Sequence, residues 1–352
     1  MEDGDISGAY SRERSRKVLF ILLMSAVAAV FFFLTLSVGN YEVSVREAVA
    51  GVFDRLLGNE VDPDVEFYVW DNYLPRAIAG LVVGAGLAVG GVVMQNLLRN
   101  PLAEPYTMGV SSGAMFGATL SIGLGFSVVP FVSGYEATVV NAFVFSLVPM
   151  AIIMAISAFK KVSPVMMILT GIALMYLFSS VNSLIMATSS SETMQDIYYW
   201  GIGTLSRAGW DNLPLVTGLS LVLGAGIFAM SKSLDLMYSG DRSAQSLGLK
   251  VNGFRLLAMI LVSFLTAALV SCTGTIGFVG LVAPHVARIF VGSTNRYLIP
   301  ASAAFGAAFL LVADTLAKAI GTGALPVGVI SSLVGGPLFI YILIRQRKHA
   351  WM

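Results

Sequence analysis

The pentapeptide GVSSG, Gly109 to Gly113, has the G-x-S-x-G spacing of a nucleophile elbow, a strained turn that exposes a serine hydroxyl for acyl transfer. That chemistry needs a strand before the turn, a helix after it, and a base to take the proton. Of the two histidines, His349 lies in the C-terminal tail, which leaves His285. His285 stands inside the apolar run FVGLVAPHVARIF, and no sheet is on offer to present the serine, so Ser111 and Ser112 read as residues that start or pack a helix. Asp314, in FLLVADTLAKAI, is the one acidic residue well inside an apolar run, where a carboxylate is a candidate proton relay. Lys318 follows four residues later on the same helix face, and a structural Asp314–Lys318 pair is the preferred reading. The single cysteine, Cys272, excludes a disulfide framework and a cysteine-cluster metal site. No zinc or EF-hand spacing occurs. G-x-x-x-x-G-K-[ST] is absent too, and so is any Gly-Lys dipeptide, so the chain does not hold a nucleotide by the usual phosphate-binding loop. The residue inventory points away from an enzyme.

The elements that carry these residues are apolar. The chain has 352 residues, 57% of them hydrophobic and only 12% charged, where a soluble domain carries about 25% charged residues. Ten apolar segments fall near 18–38, 77–98, 109–126, 139–159, 165–187, 213–230, 256–276, 278–292, 298–318 and 326–344. About 20 apolar residues cross a hydrocarbon core of roughly 30 Å. The expectation is an all-α polytopic membrane protein with about ten spans. The first run follows Arg12, Arg14, Arg16 and Lys17 but no cleavage site follows it, so it reads as a retained span.

Placing the N-terminus inside puts 16 of the 21 Lys and Arg residues on the inner side and 5 outside. Positive charge accumulates in the cytoplasm. Both ends are therefore expected inside, with a tail at 1–17, a membrane-spanning body at 18–345 and a second tail at 346–352. The acidic outer loop from Asn40 to Pro75 reads as solvated, with Tyr68, Trp70 and Tyr73 near the interface. Gly80, Gly84 and Ala88, and separately Gly86 and Gly90, repeat at four-residue spacing, the mark of closely packed helices in lipid.

One stretch does not belong in lipid: KSLDLMYSGDRSAQSLGLKVNGFR, Lys232 to Arg255, inside a cytoplasmic loop at 231–255. Ser239 suits an N-cap, Asp241 the first turn and Gly248 a helix stop. A helix of about two turns is marginal alone in water, so something must hold it. Ala244 and Leu247 offer a small apolar face, and Asp241, Arg242 and Gln245 offer polar contacts. The helix either packs on its own bundle or is a handle for a cytoplasmic partner.

The segments LPRAIAGLVVGAGLAVGGVVMQNLLRNPLAEPYTMGVSSGA, SLGL, GFVGLVAPHVAR and LPVGVISSLVGGPLFIYIL together resemble the permease subunits of iron-siderophore, haem and cobalamin ABC importers. The resemblance runs from about Leu74 to Arg345 and leaves out the N-terminal tail and the acidic outer loop. It implies a homodimer in the cytoplasmic membrane with a path along its two-fold axis. It also implies two cytoplasmic ATPase subunits below, which bind ATP and magnesium, and an extracytoplasmic binding protein above. No cofactor or metal is bound by the chain itself, and no nucleic acid is a partner. Ser239, Asp241, Arg242, Ala244, Gln245, Leu247 and Gly248 are then the ATPase-coupling residues. Ser163 and Pro164, in KKVSPVM, fall where the family closes the inner gate. Arg76 in YLPR, where many relatives read R-L-P-R, and Lys318 fall where the family receives acidic residues of the binding protein. An iron chelate is the expected cargo, with a corrinoid second; an ion-coupled secondary transporter is the competing class.

Overall fold

The computed structural model describes residues 3–39, 41, 43–159, 163–320 and 325–350, with side chains from Arg12 onward except at 158–159 and 345–350. Regular structure among the described residues is helical throughout. Helix α1 (Asp3–Thr35) is followed by α2 (Val45–Leu57) and the short α3 (Pro63–Val65), which continues through a π-helical stretch, Glu66–Tyr73, into α4 (Leu74–Leu98). Then come α5 (Val110–Leu124), α6 (Gly134–Phe159), α7 (Pro164–Thr188), α8 (Ser191–Ile202) and α9 (Leu213–Ala229). The order closes with α10 (Ser231–Tyr238), α11 (Asp241–Ser246), α12 (Val251–Thr273), α13 (Val279–Val291), α14 (Asn295–Ala319) and α15 (Val327–Ala350).

Each apolar segment of the sequence falls on one helix: α1, α4, α5, α6, α7, α9, α12, α13, α14 or α15. Among the described residues seven helical stretches are long and apolar enough to cross a membrane, and α9 with α10, bent by 57°, makes an eighth. The other two, α5 and α13, are shorter apolar helices. For α5 the cause is visible. After α4 the chain turns back into the bundle, so that a Cβ on Gly90 would lie 3.2 Å from Pro105. Helix α5 therefore starts part-way along α4, behind a left-handed Gly109 at φ +86°.

The organising element is α4, with 21 of its 25 residues buried. Its small residues form two stripes with two different partners. Gly80, Gly84 and Ala88 face α14, and a Cβ on Gly84 would collide with the backbone carbonyl of Gly306. Gly86 and Gly90 face α12, against Leu265, Leu269 and Thr266. Lipid supplies no hydrophobic drive for helix association, so backbone approach of this kind supplies dispersion contact instead. By contrast α7 and α15 leave large apolar side chains uncovered, among them Leu169, Tyr176, Leu184, Leu333 and Ile340.

The loop expected to be solvated is built differently. Residues 45–57 fold as α2, started by a reciprocal capping box between Ser44 and Glu47 and ended by left-handed Gly58. The aromatic residues of this loop make ring contacts. Tyr41 stacks on Tyr68 at 4.7 Å, Trp70 pairs with Trp210 at 5.2 Å, and Tyr73 is buried. Trp210 and Lys318, the latter 4.2 Å over the Tyr73 ring, come from distant segments, which interface preference alone does not anticipate.

Candidate functional site

Most of α4 and α14 is apolar, and their polar groups are gathered at the two ends. At the outer end, as the charge count orients the chain, Arg76 of α4 meets Asp314 of α14. The Nε donates to Oδ1 at 2.8 Å, Nη2 lies 2.7 Å from the same oxygen, and Nη1 donates to Ser206. Thr35 of α1 donates to the other carboxylate oxygen at 3.3 Å. Lys318, one turn beyond Asp314, turns away from it, donates to the Thr35 carbonyl at 2.6 Å and stands 4.2 Å over the Tyr73 ring. The expected Asp314–Lys318 pair is thus replaced by Asp314–Arg76. Same-face spacing on one helix left Asp314 open to a guanidinium from the neighbouring helix, whose planar fork holds a carboxylate better than an ammonium does. Both side chains are buried at 5% exposure. They line a cavity of about 210 Å³ together with Phe67, Tyr68, Asn72 and Ser206.

At the inner end lies the polar island, which folds as α10 and α11. The helix start differs from expectation: Ser239 caps the end of α10, and Gly240, at φ +107°, precedes Asp241. Gly248 is the expected stop, at φ +87° with its N–H donating to the Gln245 carbonyl at 2.9 Å. Ala244 is fully buried against the bundle, whereas Leu247 is 67% exposed and Arg242 and Gln245 are exposed with it. The apolar face drawn from the sequence is therefore split, with one residue inward and one outward.

Asp241 also points inward. Its two oxygens both accept from Nη2 of Arg255 on α12 at 2.9 Å, and Arg99 at the end of α4 stands 3.6 Å away. A second carboxylate, Asp235 of α10, accepts from the backbone N–H and the side-chain amide of Asn295 at 2.8 and 2.7 Å. Asn295 in turn accepts from Asn96 of α4 at 2.6 Å. Arg99, Arg255, Asn96, Asp235 and Asn295 were assigned no role from the sequence. Their common signal is a polar residue at the very end of an apolar run.

Ser163 and Pro164 open α7, with the Ser163 hydroxyl accepting from the Met166 N–H at 3.3 Å and Pro164 at the first helical position. Lys160, Lys161 and Val162 of the same motif lie outside the described residues. Ser112 packs at the start of α5, donating to the Gly109 carbonyl at 2.9 Å, as a helix-starting residue does. Ser111 lines a separate cavity with Tyr106 and Thr275. His285 bonds the Leu281 carbonyl at 3.0 Å and packs on Phe339, so no Ser–His pair exists there. One further carboxylate enters the bundle unannounced: Glu104, on the returning loop, lies 3.1 Å from where a Cβ on Gly280 of α13 would sit. Outside the spans, Arg207 is held below its ordinary pKa by burial, partly offset by Tyr135.

The chain as a whole is similar to known proteins. The chain is 37% identical over 299 residues to a hemin transport system permease of Yersinia pestis, covering 84% of this chain and 89% of the relative. It is 31% identical over 335 residues to a molybdate import system permease of Haemophilus influenzae, covering 94% and 96% respectively. A solved structure described as an inward-facing metal-chelate type ABC transporter superposes with a TM-score of 0.81 at 30% identity, covering 92% of this chain and 98% of that one. The family match spans residues 27–345, so it takes in the acidic outer loop, which the sequence motifs had left out. A multi-pass helical fold and a family match over nine-tenths of its length place this sequence: the chain belongs to the FecCD transport family.

Proposed function

We propose that this chain works as a homodimer in the cytoplasmic membrane, with both termini inside, and imports an iron chelate, a siderophore complex or haem. ATP and magnesium are bound by two separate ATPase subunits, and the cargo is delivered by an extracytoplasmic binding protein. The observation that carries the reading is α11. It is a six-residue polar helix, clamped to an apolar bundle at the inner end, with Leu247, Arg242 and Gln245 turned outward. A chain that lacks a phosphate-binding loop of its own has a use for such a handle if its energy comes from a partner.

The uncovered apolar faces of α7 and α15 suit a second copy or lipid. Ser163 and Pro164 are the gate candidates at the inner start of α7. At the outer end Arg76 and Lys318 lie in the wall of a cavity. A glutamate of the binding protein would therefore enter the cavity to reach them. An ion-coupled mechanism is disfavoured because Asp314, engaged by Arg76 and Thr35, is no free proton acceptor.

Cargo is tested in proteoliposomes holding the permease, its ATPase subunit and its binding protein. Haemin, a ferric siderophore, cobalamin and molybdate are offered one at a time with ATP. Uptake of haemin or the siderophore alone is expected. Selective uptake of cobalamin would favour the corrinoid reading, and selective uptake of molybdate would replace the chelate by an oxyanion.

A further inference from the structure

We propose that Asp235 and Asp241 are positioning residues that lock the α10–α11 segment onto three spanning helices, so that force applied to α11 reaches α4, α12 and α14 instead of bending a loop. The inference rests on the reading of α11 as the ATPase contact.

Helix α11 has little else to hold it. It is six residues long, Ala244 is its one buried side chain, and it is flanked by Gly240 and Gly248, both at positive φ. A helix this short has no stability of its own. The two carboxylates supply the missing attachment, each in a different direction. Asp241 ties α11 to α12 through Arg255, whose side chain is only 8% exposed, and faces Arg99 at the end of α4. A cation so buried depends on its carboxylate, because a lone charge there would be poorly solvated. Asp235 ties α10 to the first turn of α14 through Asn295, and Asn295 ties on to Asn96 of α4. Neither carboxylate is spent on a partner surface, since each faces its own chain, while Arg242, Gln245 and Leu247 stay free for one.

What receives the force is stiff. Helices α4 and α14 meet backbone to backbone at Gly84 and Gly306, a seam with no side chain to compress. At its far end the same pair of helices is closed by Arg76 and Asp314. The coupling segment is therefore fastened at the inner end of a rod whose outer end lines the outer cavity.

The test is amide hydrogen exchange of the full permease in nanodiscs, with and without its ATPase subunit. In wild type, docking should slow exchange in 241–248 and also, by about tenfold, in 97–103 and 251–256. In Asp241→Asn the slowing should persist at 241–248 but fall below about twofold at 97–103 and 251–256, and Asp241→Glu should restore most of it. Asp235→Asn should remove the corresponding slowing at 295–299 alone. No slowing at 241–248 in wild type would overturn the docking reading itself. Slowing there with none at 97–103 and 251–256, or equal slowing in Asp241→Asn, would overturn the clamp and leave docking standing. Loss of docking in Asp241→Asn, with the variant still dimeric, would make Asp241 a direct contact and also overturn the clamp.

Discussion

Asp314→Ala tests how the outer end is held together. The carboxylate is completely buried, accepts from Nε of Arg76 and from the Thr35 hydroxyl, and lies 2.7 Å from Nη2 of Arg76 as an ion pair. Removing it strands Arg76 and Lys318, both 5% exposed, with no anion between them. Breaking a buried pair by deleting one partner costs about 3–5 kcal/mol, most of it the penalty of the charge left behind. At about 2–4 °C per kcal/mol, discounted for a chain of this size, the detergent-solubilised protein should melt about 5–15 °C lower. The same argument predicts that Arg76→Met with Asp314→Leu recovers at least half of that loss, because the guanidinium goes with its carboxylate and only Lys318, still held by the Thr35 carbonyl, is left. Lys318→Met should cost less than about 2 kcal/mol, since it removes a contact to Thr35 and Tyr73 but leaves the Arg76–Asp314 pair intact. Melting followed by tryptophan fluorescence reads all three. If Asp314→Ala melts with wild type, or if the double variant is worse than the sum of its parts, the pair is not what closes this end.

Four other outcomes follow from the geometry. Gly84→Leu drives a side chain into the Gly306 carbonyl and should abolish monodisperse protein on gel filtration, whereas Gly218→Leu, with open space around it, should not. Leu247→Asp should lower co-purification of the ATPase subunit by about tenfold or more with unchanged melting, while Ala244→Asp, buried against the bundle, should lower melting as well. Ser44→Ala should weaken α2 locally by about 0.5–2 kcal/mol, seen as faster amide exchange at 45–49. Glu47, whose pKa the Ser44 hydrogen bonds hold below the ordinary carboxylate value, makes that cap pH-dependent. Its contribution is present above the unfolded carboxylate range and is lost as pH falls through the lowered folded value. Cysteines at Ser163 should crosslink between protomers in the resting complex, which needs Cα atoms within about 7 Å; failure to crosslink in any nucleotide state would move the gate elsewhere.

What the sequence carried and what it lacked divide along physical lines. Span positions were legible because lipid imposes a length and a composition on every crossing helix, and all ten apolar segments fall on helices. The stripes of Gly80, Gly84 and Ala88 and of Gly86 and Gly90 were legible as close packing, though not which partner each would meet. Gly248 announced a helix stop because few other residues take its backbone angle. Pairing between distant segments was not legible. Asp314 had a lysine at helical spacing, yet its partner came from a residue 238 positions away. Local spacing identifies neighbours on one helix and is silent about the next helix. The same blindness hid Asp241's inward turn: a charged residue in a polar loop reads as solvent-facing until Arg255 and Arg99 are brought beside it. Within residues 40–75 the acidic charge masked a capped helix, and the contacts of Trp70 with Trp210 and of Tyr73 with Lys318 were not legible for the same reason.

The central claim is that transport through this chain is driven by ATP hydrolysed on a partner docked at α11. The direct measurement is uptake of haemin or a ferric siderophore into proteoliposomes with imposed proton and sodium gradients, with and without the ATPase subunit and ATP. Uptake that requires both the subunit and ATP, persists when the gradients are collapsed, and disappears in Leu247→Asp is the predicted result. Uptake driven by a gradient in the absence of the ATPase subunit would contradict it.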